Sequence, residues 1–142
     1  MTLFKSINVL RMNRGREVIT ELTSYCERKG ITSAIILGMI GTMDRVKLET
    51  TRKDGKFGPE HHEFTGNMSI LAGQGQLSSF EGKGMFHIHM CLIDPLKPGE
   101  LIGGHLEEGT VFATVEVYIG ELDYQLTRQF DAEVGLAAVQ TT

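Results

Sequence analysis

Tryptophan is absent from this chain, and proline is nearly so, with three in 142 residues beside two cysteines and a 7% aromatic share. Each scarcity excludes something. So little proline rules out a stiff proline-rich linker or recognition segment. Two cysteines, Cys26 and Cys91, without a C-x-x-C spacing, exclude a disulfide scaffold or a thiolate zinc cluster and suit a reducing compartment. No run of 18 apolar residues occurs, so no transmembrane helix is expected. The N-terminus lacks the apolar core and cleavage site of a signal peptide, which makes the cytoplasm the expected location and leaves no membrane partner. The formal charge of −4 argues against non-specific nucleic-acid binding, which needs a positive surface to displace counterions. Glycine-rich phosphate loops and the Gly-x-Ser-x-Gly elbow are also missing.

What remains is an ordinary globular composition, 41% hydrophobic and 23% charged, of a length that fits one domain over residues 1–142. Residues 3–12 alternate loosely and read as a strand. Glu17 to Lys29 reads as a helix, with Val18, Leu22, Tyr25 and Cys26 on one stripe and Gly30 placed to end it. Ile31 to Ile40 reads as a strand buried on both faces, Gly41-Thr42-Met43 as a turn, and Arg45 to Thr51 as a more exposed strand. The polar stretch 52–62 is expected to be a surface loop. A short strand at 63–65 leads into a longer one over 67–79. Pro95 to Gly104 is expected to be a loop, and Thr110 to Asp123 the longest strand. One helix among many strands gives an α+β fold with a mainly antiparallel sheet and the N-terminal helix packed on it.

Met85 to Asp94 carries the chemistry. Alternation along a strand puts Phe86, Ile88, Met90 and Leu92 on one face, as core, and His87, His89 and Cys91 on the other. Two imidazoles about 6–7 Å apart along a strand can reach one ion at the 2.0–2.1 Å Zn–N distance. His105 supplies a third, after Gly103-Gly104. Three histidines without an obvious fourth ligand form an open, catalytic-type site for zinc or another divalent transition metal. Cys91 reads as a small buried hydrophobe rather than a ligand. Glu116, a lone carboxylate in an apolar strand, is the candidate proton carrier if the metal is catalytic, against the alternative of a solvent-facing or paired group. Glu107 and Glu108 read as a solvated loop edge. His61 and His62 are adjacent, point opposite ways on an extended chain, and so read as loop residues rather than a ligand pair. Arg45, Lys47, Arg52, Lys53 and Lys56 form a local basic patch that could contact DNA. Arg14-Gly15-Arg16 lacks the proline and basic flanks of an AT-hook.

His87-x-His89, then Gly103-Gly104-His105-Leu106, Gly109 and Thr114-Val115-Glu116-Val117 together resemble the signature of the PPC domain (plant and prokaryote conserved, also called DUF296). Ile40-Gly41-Thr42-Met43, Phe130-Asp131 and Gly135-Leu136 extend the likeness over nearly the whole chain. The resemblance implies a sheet with one packed helix, assembled as a homotrimer, in free-standing prokaryotic form. Plant members join the domain to AT-hook segments, and free-standing members are usually described as DNA-binding by that association. The fold is also similar to acetolactate decarboxylase, a zinc enzyme that uses three histidines. Two function classes follow. One is a trimeric regulatory module that binds DNA or a protein. The other is a zinc-dependent hydrolase or decarboxylase acting on a small carbonyl or ester.

Overall fold

The structure is a computed structural model that describes residues 4–51, 54 and 59–140. Its elements run β1 (Phe4–Asn13), α1 (Val18–Lys29), β2 (Ala34–Thr51), β3 (Pro59–Phe80), β4 (Lys83–Ile93), β5 (Leu101–Leu122), β6 (Thr127–Asp131) and β7 (Leu136–Val139). The fold is α+β and mostly antiparallel sheet, as the periodicities require. Arg52, Lys53 and Lys56 of the expected basic patch lie outside the described residues.

β2 pairs with β3 on one side and β5 on the other, and β4 also pairs with both β3 and β5. The four long strands therefore close into a ring. β1 extends it from the far end of β5, and β6 joins the end of β3 in parallel and carries β7. The ring interior is filled by Ile36, Met43, Leu48, Met68, Ile88, Leu92, Val111, Val115 and Ile119, all essentially solvent-free. Helix α1 adds Val18, Leu22 and Cys26 to the same core. Its local signals act as expected. Glu17 is the N-cap, with both carboxylate oxygens accepting first-turn N–H groups, and Gly30 closes the helix at φ 69°.

Several expectations are corrected, for one shared reason. Gly41-Thr42-Met43 is not a turn: β2 runs through it, and the pairing register with β5 shifts there instead. A bulge accommodates the same small residues as a turn while keeping the strand continuous. Likewise 63–65 and 67–79 are parts of one strand, β3, which also contains His61 and His62. The loop after β4 ends at Glu100, so Gly103, Gly104, Glu107 and Glu108 are strand residues of β5. The stretch 31–40 is buried on one face only, since Leu37 is 46% and Ile40 60% exposed.

Candidate metal centre

The closed ring brings the histidines together. β4 presents Ile88, Met90 and Leu92 to the core, which turns His87 and His89 outward. β5 lies beside β4 with His105 directly opposite His89. On its other side β5 approaches β2 closely at Gly104. A Cβ at that position would stand 2.6 Å from the Glu49 carbonyl oxygen on β2, closer than any side chain can approach. Only glycine lets β2 and β5 meet there, one residue before His105.

The result is a compact cluster. Nε2 of His87 and Nε2 of His89 are 3.0 Å apart, and their rings stack with centroids 5.0 Å apart and planes 3° from parallel. His105 meets both edge-on, with centroids 4.8 Å from His87 and 5.5 Å from His89. One nitrogen from each ring lies within 4.8 Å of the others. Two nitrogens bound to one tetrahedral ion at 2.0–2.1 Å would be about 3.4 Å apart, so the set fits a single transition metal.

Electrostatics favour the ligating form. His87 is pushed down to about 4, first by burial, then by the charges of His105, Arg128 and His89. His105 is also lowered, chiefly by burial, with His89 and Arg128 adding to the shift and Glu49 and Glu107 opposing it. Both are therefore neutral near pH 7, the state in which imidazole binds metal. A bound ion would act as a Lewis acid and could lower the pKa of its water toward about 7.

A second group borders the first. Glu49 is paired across the ladder with His105 on one side and His61 on the other. His61 Nδ1 lies 2.8 Å from Glu107 Oε2, and Lys47 Nζ lies 3.2 Å from the same oxygen. The sequence did not single out Glu49, and it placed His61 and Glu107 in loops. The partners are distant in the chain, so no local spacing announces them.

The other expected site residues sit elsewhere. Glu116 is eleven residues along β5 from His105, about 35 Å of extended strand, and accepts a hydrogen bond from Tyr118. Arg45 is committed to Glu63 and Glu108 at 2.9 and 3.1 Å, and Lys47 to Glu107. Cys91 lies opposite Gly103, two residues beyond His89, and is not in the nitrogen cluster.

The sequence matches the Plants and Prokaryotes Conserved (PCC) domain over residues 3–123. This chain belongs to the PCC domain family. No curated protein matches it in sequence. Among solved structures it is similar to a plant- and prokaryote-conserved protein from Pyrococcus horikoshii. There the TM-score is 0.85 at 27% identity, covering 98% of this chain and 94% of that one. A metal-containing protein from Archaeoglobus fulgidus gives 0.83 at 27% identity, covering 99% and 100%. A Bacteroides thetaiotaomicron protein, provisionally described as DNA-binding, gives 0.84 at 20% identity, covering 96% and 92%. The PCC fold is also similar to a Staphylococcus aureus protein resembling alpha-acetolactate decarboxylase, with TM-score 0.52, 16% identity and 87% and 53% coverage. Among the described residues, no helix is long and apolar enough to cross a membrane.

Proposed function

We propose that this PCC domain is a metal-centred binding module in which His87, His89 and His105 hold one divalent transition metal, with zinc the first choice. The observation that carries the reading is the convergence of three imidazoles, two of them held neutral at pH 7. The similar Archaeoglobus protein, described as metal-containing, supports it. Three nitrogen donors leave a coordination position for water or a small ligand. In the enzymatic version that position would receive a small carbonyl or ester, for hydrolysis or decarboxylation. Glu49 and Glu107 are then better placed than Glu116 to move a proton beside His105.

The module assembles as a homotrimer in this reading. Ile7, Val9 and Ile40, exposed by 64%, 56% and 60% on one sheet face, supply an apolar patch that a neighbouring copy would cover. A protein partner in the cytoplasm is compatible with this surface. DNA is the weaker partner, because Arg45 and Lys47 are already neutralised by glutamates and the chain is acidic overall.

The deciding experiment is elemental analysis of protein purified without a polyhistidine tag, beside a His87→Ala, His105→Ala double variant. About one equivalent of metal per chain, lost in the variant, supports the reading. Metal-free wild type overturns it.

A further inference from the structure

Arg128 is the one charged side chain among the described residues that is more than nine-tenths buried, at 8% exposure. Burying a guanidinium is costly unless an anion accompanies it. Here none does. Nε donates to Ser78 Oγ at 2.9 Å and Nη1 to the Ala137 carbonyl at 2.7 Å, and no carboxylate lies within salt-bridge distance among the described residues. Burial alone accordingly pushes Arg128 below the usual arginine range, with no acidic group offsetting it. Nη2 has no hydrogen-bond partner among the described residues, yet it is not sealed from solvent, since no fully buried side-chain nitrogen among them is left unsatisfied. Nη2, next to Nη1 on the end-on edge of the guanidinium, therefore keeps its hydrogens uncommitted among the described residues. That edge is the fork that grips a carboxylate with two parallel bonds.

The strand register places Ser78, which accepts from Arg128, beside the histidines. Ser78 opposes Met85 on β4, and Gln76 opposes His87. Residues two apart on a strand share a face, so Ser78, Gln76, His87 and His89 all project to the same side. Ser78 and His87 are diagonal neighbours, roughly 7–8 Å apart. The charge of Arg128 is felt at both His87 and His105. The hairpin of β6 and β7, which carries Arg128 and Ala137, thus lays an uncompensated cation along the rim of the metal centre. It lies beyond the residues matched by the family, which end at 123.

We infer that Arg128 and a metal held by His87, His89 and His105 form the two ends of a binding site for a short carboxylic acid bearing a second oxygen donor. The carboxylate sits on the guanidinium fork, and the second oxygen, a keto or hydroxyl group, takes the open metal position. The inference rests on the metal reading above and adds the class of ligand. Pairing the buried charge also explains why an arginine is tolerated there without an internal acid.

The probes are pyruvate and acetate, titrated as sodium salts into the zinc-loaded full chain by calorimetry, with Arg128→Gln and Arg128→Lys variants and with zinc content measured for each. Pyruvate should bind with one-to-one saturation and more tightly than acetate, which has only the carboxylate. Arg128→Gln should weaken pyruvate about tenfold or more while zinc content stays unchanged. Arg128→Lys keeps the charge and loses the fork, and should fall between the two. If Arg128→Gln does not fold, the Lys variant alone carries the test. Wild-type protein that holds zinc but ignores pyruvate overturns the inference and leaves the metal reading intact, as do folded variants that bind pyruvate like wild type. Protein that holds no zinc fails on the separate metal measurement and removes the two-ended site with it.

Discussion

Nε2 of His87 and Nε2 of His89 face each other at 3.0 Å across parallel rings, with one residue, Ile88, between them in the strand. Two ring nitrogens at that distance can share one hydrogen bond, and a metal ion can take the place of its proton. His89→Ala should therefore abolish tight metal binding while leaving the fold intact, because His89 is exposed and its strand is anchored by Ile88, Met90 and Leu92. The check is metal content by elemental analysis beside an unchanged thermal midpoint. A variant that keeps its metal would show that His89 is not a ligand.

Gly104→Ala tests the backbone approach that positions His105. The new methyl group would meet the Glu49 carbonyl oxygen at 2.6 Å, so β2 and β5 must separate. Overpacking of this kind costs about 1–3 kcal/mol. Metal affinity should fall as well, because the shift moves the strand that carries the third imidazole. Chemical denaturation gives the first effect and a competitive zinc titration the second.

How much of this was legible beforehand depends on how local each signal is. The helix was readable because its stripe (Val18, Leu22, Tyr25, Cys26) and its stop (Gly30) are neighbours in sequence, and the structure keeps them. The three histidines were readable because His87 and His89 share a strand face and His105 follows a glycine pair. Strand lengths were not, because a bulge and a turn use the same residues: Gly41 to Met43 bends β2 without ending it. The group of Glu49, His61 and Glu107 was invisible for a different reason. Its members come from β2, β3 and β5, and only pairing registers bring them together. Arg128 was unreadable for the same reason, since the absence of a partner appears only once the chain is folded.

Glu17 gives a pH-dependent test of the helix start. Burial raises its pKa, but hydrogen bonds from the Thr20 hydroxyl and the N–H groups of Thr20, Gly109 and Ile19 outweigh this and leave it below the ordinary glutamate value. The bond from Gly109, at 3.1 Å, ties the helix to β5 across 92 residues of sequence. A carboxyl lowered on folding contributes stability that is present above the unfolded value, about 4.3, and is lost as pH falls through the folded value. Glu17→Gln should therefore be less stable than wild type at pH 7, by about 1 kcal/mol from the capping loss. The difference should shrink as pH drops below about 4. Urea denaturation at pH 7, 5 and 3.5 reads it, and a gap that stays constant across that range would show that the carboxylate charge plays no part.

The exposed apolar face makes the last prediction. Val9 on β1 opposes Tyr118 on β5, which opposes Gly38 on β2, and one step along, Arg11, Glu116 and Ile40 form the next row. Val9 and Ile40 thus belong to one continuous outer face, and both are more than half exposed. A homotrimer would cover them. Light scattering on the wild type should then give three times the chain mass of 15.7 kDa. A Val9→Lys, Ile40→Lys double variant puts two cations into each covered face, where their desolvation has no compensating partner, and should run at the mass of a single chain. Because neither residue touches the histidine cluster, the variant should keep its metal if one chain supplies the whole site. Metal lost together with the trimer would mean that a neighbouring copy completes the coordination.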